Sequence, residues 1–266
     1  MGKVIAVANQ KGGVGKTTTV VNLSAALGAE GAKVMAVDVD PQGNATSGFG
    51  IDKRKIGQSV YEALIGQAGL DSIVRRSVAK NVDMIPSHIN LAGAEVEIVD
   101  MGDREARLKN LLRPAVAAYD YILIDCPPSL GLLTLNALCA ADSALIPAQC
   151  EYYALEGMSQ LMNTIRQVKK LYNPGIYIEG VLLSMYDGRL NLTLQVVQEI
   201  KKYFPNRVYK TVVPRNVKLS EAPSYGKPIN IYDKYSKGSE AYAALAREIM
   251  EQNGGTAKNA EKGASE

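Results

Sequence analysis

Residues 3–31 read KVIAVANQKGGVGKTTTVVNLSAALGAEG, and this stretch decides the fold. It opens with a short apolar run that predicts a buried strand over Lys3 to Ala8. Apolar residues then recur at helical spacing from Val20 to Leu27, and Gly31 follows where helices commonly end. A strand and a helix joined by a glycine-rich segment form an arrangement in which backbone amides and a helix N-terminus bind phosphate.

The alternation of strand and helix continues along the chain. Apolar runs predict further buried strands over Lys33 to Asp38, Tyr121 to Asp125, Ser143 to Ala148 and Ile176 to Ser184. Helical spacing covers Arg104 to Leu112, Leu132 to Ala140, Ala154 to Leu171 and Leu192 to Tyr203. Strands that alternate with helices imply right-handed crossovers and a mostly parallel, twisted sheet flanked by helices. We therefore predict a single-domain α/β fold.

Length and composition agree with this prediction. The chain has 266 residues, 47% of them apolar and 6% aromatic, so its core must consist of Val, Ile, Leu and Ala, as in buried parallel sheets. We expect one domain over residues 1–252, closed by a helix from Glu240 to Gln252. The prolines between Pro205 and Tyr235 favour loops and short helices there. Residues 253–266 are small, polar and aperiodic, which predicts a disordered tail.

Cysteine usage and hydropathy bear on the compartment. Cys126, Cys139 and Cys150 are widely spaced and form no CxxC pair, so neither a disulfide framework nor a zinc site is indicated. No apolar stretch approaches the roughly 18 residues of a membrane span. We expect a cytoplasmic protein with buried free thiols and no membrane partner.

The glycine-rich segment ends in GKT (15–17), the last positions of the phosphate-loop motif GxxxxGK[ST]. Gln10 replaces the first glycine of the strict motif, and KGGVGKTT (11–18) stands in its place. A dinucleotide site of the GxGxxG type would use Gly13 and Gly15, but Thr18 replaces its third glycine, and Lys16-Thr17 would have no role. A GTPase should carry an NKxD-type guanine reader, which the sequence lacks. A phosphate loop is therefore favoured.

Two of the predicted strands end in carboxylates. The second strand runs into DVDPQGN (38–44), and YILID (121–125) is followed by CPPS. Residues at the carboxyl ends of parallel strands face the ligand crevice of an open α/β sheet. Each acid alone is common at a strand end. Together with the phosphate loop, they indicate a magnesium–nucleotide site.

These motifs resemble the deviant Walker A family of ATPases, which includes the ParA/Soj partition proteins, MinD and nitrogenase iron protein. The resemblance extends from Lys3 to Gln252 and implies that ATP and Mg²⁺ bind. It identifies Lys11 as the signature lysine, which in the family reaches into the partner subunit's phosphate site when two monomers close around two ATP molecules. Extra positive charge is expected where phosphates pack at an interface.

The resemblance also assigns roles to individual residues. Asp40 would orient or activate the attacking water. Thr17 would ligate Mg²⁺ directly, whereas Asp38 and Asp125 would act through water. Catalytic roles fall to Asp40, Lys11 and Lys16. The predicted nucleotide contacts are Lys11, Gly12, Gly13, Val14, Gly15, Lys16, Thr17, Thr18, Met185, Pro214 and Asn216.

Two later segments are similar to the chromosomal ParA/Soj pattern: LSMYDGR (183–189) and VVPRNVKLSEAPSYGKP (212–228). Ser184 stands where we expect Thr. Residues 189–237 hold ten Lys/Arg against three acids on an otherwise acidic chain, which favours a polyanion partner over a merely solvated lysine-rich face once the resemblance is added. The predicted DNA-binding residues are Arg189, Arg215, Lys218 and Lys227.

The resemblance implies a slow, partner-stimulated ATPase in chromosome or plasmid partitioning. ATP would close a sandwich homodimer that binds double-stranded DNA nonspecifically on the nucleoid, and hydrolysis would release it. The implied partner is a ParB-type centromere-binding protein. The alternatives are a non-cycling positioning scaffold and a membrane-bound MinD-like regulator. The polar tail disfavours the MinD-like regulator, and the cysteines are not placed to hold an iron–sulfur cluster. His88 receives no role.

Overall fold

A computed structural model describes residues 2–151 and 154–254. Within these ranges the strands are β1 (Lys3–Val7), β2 (Val34–Asp38), β3 (Arg75–Ala79), β4 (Val82–Ile85), β5 (Tyr121–Asp125), β6 (Ser143–Gln149), β7 (Tyr177–Tyr186) and β8 (Val208–Pro214). The helices are α1 (Lys16–Ala29), α2 (Asn44–Gly48), α3 (Val60–Leu64), α4 (Leu70–Ile73), α5 (Leu91–Glu97), α6 (Arg107–Leu112), α7 (Leu132–Ala140), α8 (Ala154–Leu171), α9 (Asn191–Tyr203), α10 (Val217–Glu221), α11 (Ile229–Tyr232) and α12 (Lys237–Gln252). Short 3₁₀ turns cover Lys53–Lys55 and Ala222–Tyr225.

The described strands form one sheet in the order β3-β4-β2-β5-β1-β6-β7-β8. Only the β3–β4 pair is antiparallel, so the predicted mostly parallel α/β fold is confirmed. Strand β1 lies between β5 and β6. The chain leaves β1 toward β2 on one side and later crosses to β6 on the other. This reversal opens a crevice at the carboxyl end of β1, where such sheets bind ligands.

Helices cover both faces of the sheet, and the alternation of side chains along β1 shows why. Val4 and Ala6 belong to the apolar core shared with α7 and α8. Ile5 and Val7 belong to the core shared with α1 and α12. Because successive side chains of a strand point to opposite faces, a strand buried on both faces is apolar throughout.

The main differences from the predicted elements are three missed strands and two helix starts, because α6 begins later than expected and α12 begins at Lys237 rather than Glu240. Strand β8 lies in the segment where we expected only loops and short helices; it is a partly exposed edge strand whose apolar signal is weak. Strands β3 and β4, at the opposite edge, were not predicted. Helix α6 begins at Arg107 rather than Arg104 because the Asn136 carboxamide accepts a hydrogen bond from the Leu108 amide (3.1 Å) and donates one to the Arg104 carbonyl (2.7 Å).

The predicted tail begins within the folded part of the chain. The Asn253 side chain accepts a hydrogen bond from Lys3 Nζ (2.8 Å) and donates one to Glu179 Oε1 (2.7 Å). Residues 255–266, the rest of the predicted tail, lie outside the described residues. No helix in the described part of the chain is long and apolar enough to span a membrane.

Candidate nucleotide-binding site

The phosphate loop connects β1 to α1 at the centre of the sheet. Gly13 and Gly15 have left-handed φ values of 74° and 90°, which favour glycine because a Cβ atom would be strained there. Gly15 is the N-cap of α1 and provides no side-chain cap. The first-turn amides of α1 are thus left for an external acceptor, and the helix dipole favours an anion.

Side chains from neighbouring strand ends anchor this loop. The buried Ser184 hydroxyl donates a hydrogen bond to the Val14 carbonyl (2.8 Å), and Gln149 Nε2 donates one to the Gly13 carbonyl (3.3 Å). The Asn9 carboxamide donates to a main-chain carbonyl of β6 (2.7 Å). The sequence interpretation gave no role to Gln149 or Asn9, since neither lies in a recognised motif. Ser184 fills the position where we expected Thr and supplies the same hydroxyl.

The two lysines of the loop differ in environment. Lys16 is buried, and its ammonium donates a hydrogen bond to the Lys11 carbonyl (3.1 Å). Burial lowers the pKa of Lys16, an effect opposed by the nearby negative charge of Asp125. Lys11 is partly exposed, and its Nζ lies 2.5 Å from Glu151 Oε2 of the same chain. Glu151 is a partner that the sequence motifs did not indicate.

Two acids meet at the carboxyl ends of adjacent strands. Asp38 on β2 lies directly opposite Asp125 on β5 in the parallel register, and both carboxylates are fully buried. Burial raises the pKa of Asp38 to about 6. Burial, and next the charge of Asp38, raises the pKa of Asp125 well above its usual value. A neighbouring cation would offset this cost, because it favours the ionised form of both groups.

The donor set around Asp125 fits a hydrated Mg²⁺ ion. Thr17 Oγ1 donates a hydrogen bond to Asp125 Oδ2 (2.8 Å). The other oxygen, Asp125 Oδ1, is buried and has no hydrogen-bond partner among the described residues. Buried polar atoms rarely stay unpaired. Mg²⁺ needs few protein oxygens because it keeps several waters.

Asp40 follows β2 and is also largely buried, with 7% of its surface exposed. Its Oδ1 accepts a hydrogen bond from the Gln42 amide (2.9 Å), and its carbonyl accepts one from the Gly43 amide (2.9 Å). The carboxylate therefore belongs to a tight turn beside the phosphate loop. The negative charge of Asp40 acts to raise the pKa of both Lys16 and Asp125.

Three of the predicted nucleotide contacts lie at the end of β7 and at or just beyond the end of β8. Met185 has a left-handed φ of 49° at an irregular point of the β7–β8 pairing, and its sulfur contacts Gln149. Pro214 pairs with Tyr186 of β7. Asn216 is the N-cap of α10. Through Gln149, Met185 is joined to the phosphate loop.

The residues predicted to bind DNA are all exposed, and we call them the basic surface: Arg189, Arg215, Lys218 and Lys227. Arg189 forms a 2.6 Å ion pair with Asp187, and Lys218 forms a 3.0 Å ion pair with Glu221. Asp187 and Arg215 directly follow Tyr186 and Pro214, which pair with each other, so they lie at the adjacent ends of β7 and β8. Exposed ion pairs contribute little and exchange readily with other partners.

The remaining residues of interest, His88 and the three cysteines, are buried or half-buried. The His88 Nε2 atom lies 3.4 Å from Glu62 Oε1. Cys126 and Cys139 are buried and Cys150 is half-buried, all three as free thiols. Burial raises the pKa of Cys150 to about 11, so its thiolate is disfavoured.

The fold and the site together define a P-loop nucleotide-binding protein. The AAA domain family model matches residues 2–178. Sporulation initiation inhibitor protein Soj of Bacillus subtilis (strain 168) is 59% identical over 249 residues, covering 94% of this chain and 98% of that protein. The chromosome-partitioning ATPase Soj of Treponema pallidum (strain Nichols) is 49% identical over 254 residues, covering 96% and 99%. A solved cobyrinic acid a,c-diamide synthase from Mycobacterium smegmatis, with a bound ATP analogue and magnesium, is 36% identical with a TM-score of 0.84, covering 96% and 97%.

The chain belongs to the Soj/ParA family of chromosome-partitioning proteins, a family of P-loop ATPases. The resemblance inferred from the sequence motifs is thereby confirmed. The individual site residues remain predictions, which the geometry above makes specific enough to test.

Proposed function

We propose that this chain is an ATP-dependent dimerisation switch in chromosome or plasmid partitioning. One observation carries the proposal: the phosphate loop, the Thr17 hydroxyl and the unpartnered oxygen of Asp125 converge at one edge of the sheet. The 49% identical relative is a chromosome-partitioning ATPase, and the 59% identical relative shares its name Soj, so we do not extend the synthase activity of the 36% identical structure to this chain.

In the proposed reaction, loop amides and Lys16 bind the β- and γ-phosphates of ATP. Thr17 would hold Mg²⁺ directly, and Asp38 and Asp125 would hold it through water; the ion would supply positive charge that neutralises the phosphates. Asp40 orients the attacking water or accepts its proton. Phosphoryl transfer needs little covalent chemistry from the protein, so positioning and charge carry most of the catalysis.

Dimerisation uses Lys11, which lies partly exposed at the start of the loop. In the monomer it is paired with Glu151, and exposed ion pairs of this kind are weak. The phosphates of a second subunit offer more negative charge than one carboxylate. Lys11 therefore exchanges Glu151 for the partner's nucleotide when two ATP-bound chains close face to face.

The dimer binds double-stranded DNA through the basic surface of both subunits. Doubling the number of phosphate contacts raises affinity steeply, because each contact releases counterions and the second set binds at high effective concentration. Hydrolysis separates the subunits and releases DNA, slowly unless a ParB-type partner stimulates it. The protein is then a cytoplasmic, nucleoid-associated ATPase.

The test compares the wild type with Lys11→Ala and with Lys109→Ala, a control at an exposed lysine outside the loop. Light scattering with ATP and Mg²⁺ should show dimers for the wild type and the control, and monomers that still bind ATP for Lys11→Ala. DNA binding should follow dimerisation, and ATP turnover should rise with DNA and partner. Normal ATP-dependent dimers of Lys11→Ala would contradict the role in trans. A wild-type dimer that binds DNA without turnover would favour the non-cycling scaffold.

A further inference from the structure

A buried hydroxyl joins the first acid of the site to a strand that the motifs do not include. Thr46, in α2, is fully buried, and its Oγ1 donates a hydrogen bond to Asp38 Oδ2 (2.7 Å). Thr46 Oγ1 also accepts a hydrogen bond from the Ser87 amide (2.9 Å). The Thr46 amide also donates to Asp38 Oδ2 (2.9 Å). Thr46 therefore holds one carboxylate oxygen with two donors.

Ser87 connects the contact between Thr46 and Asp38 to Asp40. It is fully buried just beyond β4, which pairs with β2 in parallel. Its hydroxyl donates a hydrogen bond to the Asp40 carbonyl (2.8 Å). The end of β4 thus contacts the Asp40 turn through the Ser87 hydroxyl and Asp38 through Thr46.

The protons that each group carries determine which atom donates in the two hydrogen bonds of the Thr46 hydroxyl. A threonine hydroxyl has one proton. Because the Ser87 amide can only donate, the acceptor for that proton is Asp38 Oδ2. The other oxygen, Asp38 Oδ1, accepts from the Asp40 amide (3.1 Å). Both oxygens of Asp38 are therefore held by this chain, which suits a carboxylate that orders bound water rather than one that ligates a metal directly.

We propose that Thr46 and Ser87 are positioning residues, Thr46 for the Asp38 carboxylate that orders the water around Mg²⁺ and Ser87 for the turn that carries Asp40. This inference rests on the proposed function. Groups that orient the residues around a metal commonly change its affinity or the reaction rate by about 10- to 100-fold when they are removed. The two hydroxyls act on different acids, so their removal should have different kinetic signatures.

The experiment uses the full chain with substitutions that remove one hydroxyl each. Thr46→Val keeps the shape of the side chain, Thr46→Ser restores the hydroxyl, and Ser87→Ala keeps the amide that bonds to Thr46. Thr193→Val is the matched control, because Thr193 is a buried threonine in α9. Binding of a non-hydrolysable ATP analogue is measured with Mg²⁺ and with EDTA, and kcat is measured separately.

Thr46→Val should bind the analogue normally in EDTA but lose about 10- to 100-fold of the tightening that Mg²⁺ gives the wild type. Thr46→Ser should regain that tightening, and Thr193→Val should not lose it. Ser87→Ala should keep the Mg²⁺ effect and lose about tenfold in kcat. A purely structural role would instead weaken binding in EDTA and lower thermal stability in both variants.

Wild-type Mg²⁺ enhancement in folded Thr46→Val would overturn the role of Thr46, and wild-type kcat in Ser87→Ala would overturn that of Ser87. If Thr46→Val does not fold, a Thr46→Ser variant with a reduced Mg²⁺ effect overturns the role of Thr46 and one with the full effect supports it. A wild type that binds the analogue without any response to Mg²⁺ would refute the proposed function itself, which keeps the two failures distinct.

Discussion

The phosphate site and the basic surface both lie at the carboxyl ends of the strands, but they differ in how far their charged groups are buried. We use phosphate site for residues 11–18 together with Asp38, Asp40 and Asp125. Its acids are buried at strand ends, and named donors hold them. The charges of the basic surface are exposed, and two of them pair only with partly exposed acids. We therefore expect the proposed function of the phosphate site to depend on the position of its charges and that of the basic surface to depend on their number.

The largest effect is expected where a buried charge is removed. Lys16→Ala should lower ATP affinity by about 100-fold or more, since hydrogen bonds to charged groups contribute about 1.5–3 kcal/mol each and about 1.4 kcal/mol is tenfold. Calorimetric ATP titration measures this decrease. Lys33→Ala, at an exposed lysine before β2, is the control. Near wild-type ATP affinity of Lys16→Ala would contradict the expectation that the phosphate site depends on the position of a buried charge.

Asp40→Ala should separate binding from chemistry. Closing the dimer needs the γ-phosphate, Mg²⁺ and the lysines, whereas hydrolysis also needs an oriented water. Loss of a general base or water-positioning carboxylate costs about 10²-fold or more in rate. The variant should therefore stay dimeric and DNA-bound with intact ATP. Bound nucleotide, dimer fraction and dissociation time from DNA are the measurements. Hydrolysis at the wild-type rate, or a monomer off DNA, would assign hydrolysis to another residue.

At the basic surface, Arg215→Ala should weaken DNA binding to all sequences while leaving the ATP dimer intact, because phosphate contacts carry no base information. The slope of log affinity against log salt should flatten by about one for each DNA phosphate that the variant no longer neutralises. Arg166→Ala, an exposed arginine of α8, is the control. An unchanged slope would place the DNA-binding surface elsewhere.

The same contrast explains what the sequence could predict. The glycine-rich loop, the apolar strands and the acids at the ends of β2 and β5 are local patterns, so the fold could be predicted from them, whereas the roles of the phosphate-site residues came from the family resemblance and remain predictions. Thr46, Ser87 and Gln149 act through contacts between distant segments, and such residues have no local signal. Strands β3 and β8 were missed because they are partly exposed edge strands, and β4 was missed because it has only four residues.

The smallest effect is expected at Asp187, because its ion pair with Arg189 offsets part of the positive charge of the basic surface. Its Oδ1 lies 2.8 Å from Arg189 Nε and its Oδ2 lies 2.6 Å from Arg189 Nη2, so both carboxylate oxygens are engaged. These hydrogen bonds lower the pKa of Asp187 to about 2. The carboxylate is therefore ionised throughout pH 5–9, and it opposes an incoming phosphate.

Asp187→Asn removes that negative charge while keeping the side-chain shape. We expect DNA affinity at moderate salt to rise by about twofold to fivefold, the scale of exposed ion pairs, with a steeper salt slope. Because the pKa is depressed far below the assay range, the gain should not change between pH 5 and 9. Arg189→Ala with Asp187→Asn should bind more weakly than Asp187→Asn alone, since the gain includes the freed guanidinium. Weaker DNA binding by Asp187→Asn would mean that Asp187 orients Arg189 toward DNA, so position would matter at the basic surface as well as at the phosphate site.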